Sequence, residues 1–185
     1  FAALARPEGE PDTLPKMLTV LAEQHLDAEA RETGESNTGP WVRYYCDGLH
    51  GTAIGWSTCF VWRLTTDAAE LLGQKPLFAT ALSARRLAEQ ARELELFRDY
   101  DDLPEGRRPR PGDIALLRRS DADYPSRSGI VVEVRENKIR TIEGNVRRQG
   151  RHRRAQSRPR PDLWFHPPAR RPGRVRCLRA AVRHT

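Results

Sequence analysis

The hydrophobic periodicity of this 185-residue chain changes once. Up to about residue 96 apolar side chains recur at helical spacing. From residue 113 onward they come in short β-branched runs bounded by turn residues, which is strand grammar. Helices first and strands second argues against a parallel sheet, in which the two element types alternate. It predicts an α+β fold, with N-terminal helices packed on an antiparallel β-sheet. At this length one core and loose ends are expected, not two domains.

The expected elements follow from the spacing. Residues 1–12, rich in Pro, Glu and Gly, read as a loose N-terminal segment. Leu14, Met17, Leu18, Leu21 and His25 then mark an amphipathic helix over 14–32, ended by Gly34. A short helix begins at Pro40 and carries Val42, Tyr45 and Cys46 inward, and the run 48–55 breaks it. Residues 56–72 are apolar on nearly all sides, so this helix is expected at the centre, with Ser57 or Thr58 capping its start. A surface helix over 83–96 presents Leu87, Ala91 and Leu94 to the core. Strands are expected at 113–117, 128–134 and 138–142, the last two joined by a turn at Glu136-Asn137, with further strands at 163–165 and 174–178.

Charge is distributed unevenly. Residues 147–185 hold 13 arginines against the single acid Asp162, a net +12, while residues 1–146 carry 19 basic and 24 acidic side chains, a net −5. An arginine-rich segment can bind phosphate backbones or an acidic partner. No aromatic residue interleaves the arginines of 147–160, so that stretch reads as a solvated, flexible basic loop, and 169–185 as a basic C-terminal tail. Three cysteines, Cys46, Cys59 and Cys177, are an odd number without Cys-x-x-Cys spacing. They suggest neither a disulfide framework nor a zinc site and leave the redox compartment open. No apolar run approaches the roughly 18 residues of a membrane span, so no membrane insertion is expected. The chain opens Phe-Ala-Ala-Leu-Ala instead of with methionine, which reads as a trimmed segment and leaves localisation open.

The order of five segments is more specific: Asn37-Thr38-Gly39-Pro40, Trp56-Ser57-Thr58-Cys59-Phe60-Val61, Pro111-Gly112-Asp113-Ile114, Ser126-Arg127-Ser128-Gly129-Ile130-Val131 and Ile142-Glu143-Gly144-Asn145, with Leu163–Pro167 as a closing strand. Residues 13–168 thereby resemble the CHAP family of cysteine, histidine-dependent amidohydrolases and peptidases, within the NlpC/P60 papain-like group. The resemblance implies a papain-like fold and a site where a cysteine at a helix N-terminus is paired with a histidine on a facing strand, itself oriented by a polar residue on the next strand. Carried over by position, the nucleophile falls on Ser57, the histidine on Arg127 and the orienting residue on Glu143. Trp56, Asn37 and Asn145 are implied to line the cleft.

Two of these three positions depart from the family. A serine hydroxyl needs a general base, and a guanidinium stays protonated and accepts no hydrogen bond. Glu143 is expected instead to pair with Arg127. Cys59 lies about 200° around the helix from Ser57 and reads as a core residue. Cys46 and His50 share a spacing of four but lack further ligands, so no metal and no cofactor are expected. His25 reads as half-buried, and His152, His166 and His184 as solvated. The leading expectation is a catalytically inactive CHAP-like module that binds or scaffolds, with a protein partner or a peptide or glycan ligand. One alternative is an active amidase or peptidase, acting on peptidoglycan or peptide amide bonds, in which Ser57 stands for the nucleophilic cysteine. A second is a polyanion-binding protein that holds nucleic acid through its arginine-rich part. The resemblance allows a cell-envelope or exported location.

Overall fold

The computed structural model describes residues 11–51, 53–99, 108–118, 124–135, 138–148, 151–159 and 175–178. The helices are α1 (Leu14–Asp27), α2 (Pro40–Tyr45), α3 (Ser57–Leu71) and α4 (Ala84–Glu93). The strands are β1 (Phe97–Asp99), β2 (Ile114–Leu117), β3 (Arg127–Arg135), β4 (Lys138–Arg148), β5 (Arg151–Pro159) and β6 (Val175–Leu178). The strands form one sheet in the order β1-β6-β2-β3-β4-β5, each pair antiparallel. The chain is thus a mixed fold of helices and antiparallel sheet. No helix among the described residues is long and apolar enough to cross a membrane.

The main core lies between α1, α3 and one face of the sheet. Met17, Leu18 and Leu21 of α1 and Phe60 and Leu64 of α3 meet Ile114, Leu116, Ile130 and Ile142 there. Strand alternation sends Ala115, Leu117, Val131 and Ile139 into a smaller apolar cluster apart from it. Helix α3 is buried along most of its length, as its apolar sequence requires.

Several boundaries differ from the sequence expectations. Helix α1 stops at Asp27, five residues early, because Glu29 adopts a left-handed conformation at φ 50° while the Ala28 and Ala30 amides close onto Gln24 and His25 carbonyls. Glu32 thereby leaves the helix and is buried. The side chain of Ser83 does cap α4, accepting from the Arg86 amide at 3.2 Å, but Leu94 lies beyond the helix end and is 39% exposed. Strand β4 runs well past Ile142, through Glu143-Gly144-Asn145, by means of a bulge. β1 was not foreseen, since three residues are too few to show alternation.

Of the basic stretch 147–160, expected as a flexible loop, the described residues are strand: Arg147 and Arg148 end β4, and Arg151–Pro159 pair with β4 as the edge strand β5. Main-chain pairing is indifferent to side-chain charge, and charged residues are the usual occupants of a sheet edge. The strand expected at 174–178, within the basic tail, is β6, which pairs between β1 and β2. The turn at 136–137, the closing strand 163–165, His166, His184 and residues 1–10 lie outside the described residues.

Cys46 and Cys59 form a disulfide, Cα to Cα 4.9 Å, which the cysteine count and spacing did not suggest. The odd count concealed it: Cys46 ends α2, Cys59 is the third residue of α3, and the link closes the loop that carries Trp56 and Ser57. Both are fully buried, and His50 is exposed, so Cys46 and His50 share no metal-binding face.

His25 is buried, not half-buried, because it sits in an aromatic cluster with Trp41, Tyr44, Tyr45 and Phe60; its Nδ1 is 2.7 Å from the Tyr45 hydroxyl. Burial lowers its pKa from 6.5 to about 4. The folded protein therefore keeps the ring neutral where the unfolded chain protonates it. The stability this contributes is complete above pH 6.5 and lost as pH falls from about 6.5 toward 4, by roughly 3 kcal/mol. Urea midpoints measured from pH 7 to 4 should fall accordingly, and His25→Gln should flatten the profile. An unchanged slope in that variant would contradict the assignment.

Candidate functional site

Helix α3 begins where the segment ending at Trp56 meets strands β3 and β4, and five contacts define that junction. The Trp56 indole Nε1 donates to Glu32 Oε1 at 2.8 Å, and its ring stacks on Tyr45 at 5.5 Å between centroids. The Ser128 hydroxyl on β3 donates to Thr58 Oγ1 at 3.2 Å. Gly144 on β4 lies so close to α3 that a Cβ there would stand 2.8 Å from Phe60 Cβ and from the Trp56 ring. Gly55 meets Asn145, whose Nδ2 would lie 3.4 Å from a Cβ on the glycine. Ser57, between Trp56 and Thr58, is therefore held at the strand pair, 5% exposed.

The first residue of α3 is Ser57 itself. Trp56 takes the cap position and no side chain caps the helix, so the expectation that Ser57 or Thr58 does so is corrected. Ser57 is already helical, and the Thr58 hydroxyl is engaged by Ser128.

Arg127 opens β3 and Glu143 lies on β4. Arg127 Nη2 donates to Glu143 Oε2 at 2.5 Å, and the Thr141 hydroxyl donates to Glu143 Oε1 at 3.0 Å. Thr141 and Glu143 share a strand face, as residues two apart do. The Glu143 side chain is fully buried and that of Arg127 is 36% exposed. The carboxylate fits because residue 129 is glycine: a Cβ there would stand 2.6 Å from Glu143 Cγ. The expected Arg127–Glu143 pair is thus present, next in chain to the Ser128 contact with α3.

The residues implied to line a cleft have other surroundings. Trp56 is fully buried, so it serves as the floor of the junction and not as a contact surface. Asn37 is buried at φ 57°, and its carbonyl accepts the Gly51 amide at 2.8 Å, which ties the 37–40 segment to the loop preceding α3. Asn145 is half-buried at φ 60°, within the irregular register where β4 gains a residue over β5 between Glu143 and Val146. Such bulges re-aim side chains at the ends of paired segments.

Glu32, Thr141, Gly129 and Gly144 escaped the sequence reading as site residues. For Thr141 a signal existed, its parity with Glu143 on one strand. For Glu32 there was none, because the helical pattern ran straight through it.

Chemically, the junction places a hydroxyl in the first turn of a buried helix and a guanidinium–carboxylate pair on the adjoining strands. The guanidinium is a hydrogen-bond donor and a fixed cation, and cannot take a proton from serine. The buried His25 is committed to the aromatic cluster. Among the described residues no three His, Cys, Asp or Glu side chains gather into a metal-binding group. Comparison with protein-family models, with curated proteins and with solved structures found no match.

Proposed function

We propose that the chain is a catalytically inactive relative of the CHAP peptidases and amidases, of papain-like NlpC/P60 architecture, that has kept the substrate cleft as a binding or scaffolding site for a peptide or glycan ligand or a protein partner. The observation that carries this reading is the Arg127–Glu143 pair joining β3 to β4. The positions that the resemblance gives to a histidine and its orienting residue hold a cation and the carboxylate that neutralises it, and the position of the nucleophile holds a serine. A helix dipole worth roughly 1 kcal/mol does not ionise a serine hydroxyl. The Cys46–Cys59 disulfide supports maturation in an oxidising compartment, in keeping with a cell-envelope or exported location.

The test is hydrolysis of purified peptidoglycan and of peptide amides by the unmodified chain. No product above background is expected, and Ser57→Ala should change nothing. Robust cleavage that Ser57→Ala abolishes would overturn the proposal in favour of a serine-dependent hydrolase. The polyanion-binding reading gains one observation, that the arginines of 147–158 lie on paired strands at one end of the sheet. It requires affinity for nucleic acid that falls steeply with salt.

A further inference from the structure

Arg127 is an expensive residue to keep for stability alone. A fully buried carboxylate must recover a large desolvation cost from its partner, and replacing such a pair by apolar residues is often neutral or stabilising. The surroundings nevertheless hold it in place. Thr141 fixes one oxygen of Glu143, Glu143 fixes Arg127 Nη2 through the other, and Gly129 leaves the room for the carboxylate. The outcome is an arginine whose terminal group is oriented from behind by a buried anion while 36% of the side chain remains in solvent.

A guanidinium carries five N–H donors in a rigid fork, and the described ion pair uses Nη2. Its remaining donors suit the planar, bidentate geometry of a carboxylate. Because the side chain is already ordered, little rotamer freedom is lost when a ligand binds.

We propose that Arg127 is the anchor of a carboxylate-recognition site for peptides, with Glu143 and Thr141 as its positioning residues. This rests on the reading of the junction as a binding cleft and adds the ligand class: a peptide ending in a free carboxylate. Among the described residues no acidic side chain other than Glu143 pairs with Arg127, so no second carboxylate competes with a ligand for it.

The test uses the full chain and two probes, N-acetyl-tetraalanine as the free acid and as its C-terminal amide. Binding is followed by the NMR shift of the Arg127 Nε–H resonance and by titration calorimetry. The acid should bind at least tenfold more tightly than the amide and move the Arg127 resonance, whereas the amide should not. Arg127→Gln combined with Glu143→Gln removes both charges together, so no ion is left buried alone, and should abolish the preference. Arg127→Lys keeps the charge without the fork, and should retain the fold while losing affinity for the acid several-fold. Equal affinity for the two probes, or a preference for the acid that survives in the double variant, overturns the Arg127 assignment while leaving the cleft as a peptide site. If neither probe binds, this proposal falls; the inactive-enzyme reading is then judged separately by the hydrolysis assay.

Discussion

Arg127→Ala should destabilise the fold by about 3 kcal/mol, because it removes the guanidinium that pairs with the fully buried Glu143 carboxylate. The figure sits at the low end of what stripping one partner from a buried pair costs, since Arg127 is partly exposed and water can reach the space it leaves. Thr141 remains as a donor to Glu143 but brings no charge. Changing both partners together, Arg127→Gln with Glu143→Gln, should cost distinctly less than Arg127→Ala, because no ion is left behind. Urea denaturation of the three proteins at neutral pH measures this. A double variant no more stable than Arg127→Ala would mean that the pair is not the electrostatic unit described.

Removing the disulfide should cost a similar amount. Cys46 and Cys59 are 13 residues apart, and closing a loop of that size restricts the unfolded chain by about 3 kcal/mol in the chain-entropy picture. Both half-cystines are fully buried where α2 meets α3, so Cys46→Ala with Cys59→Ala also loses packing. The loss should appear as a lower urea midpoint and as faster proteolysis within residues 47–56, the stretch the bond ties down. Reduction of the unmodified protein should give a smaller shift in the same direction, since both side chains stay in place, and be slow under native conditions because solvent does not reach the sulfurs. Identical midpoints for oxidised and reduced protein would contradict this role.

The two findings show where the sequence was legible. The shift from helical spacing to short β-branched runs revealed the order of elements, since α1 buries one face, α3 nearly all of its surface and β2 both of its faces. The Arg127–Glu143 pair was also readable, because the family resemblance sets these two strand positions side by side and a buried carboxylate requires a cation. The disulfide was not, since pairing depends on the angle at which α2 meets α3 and nothing in a three-cysteine sequence reports it. The fate of Glu32 turned on a single left-handed residue, Glu29, that ended α1 early and delivered the carboxylate to the Trp56 indole. The basic stretch 151–159 was misread because charge patterning describes what side chains prefer in solvent, while main-chain pairing with β4 decides whether a strand forms.

If this junction descends from a cysteine–histidine site whose chemistry was lost at Ser57 and Arg127, restoring the two groups should bring reactivity back, read as the alkylation rate of residue 57, mapped by peptide mass, together with cleavage of peptidoglycan and peptide substrates. Ser57→Cys alone should give an alkylatable thiol with little turnover, since no proton donor serves the leaving amine. Ser57→Cys with Arg127→His should alkylate faster near neutral pH and cleave measurably, with Glu143 orienting the new imidazole. A double variant that folds, yet alkylates no faster than the single one and cleaves nothing, would contradict the account.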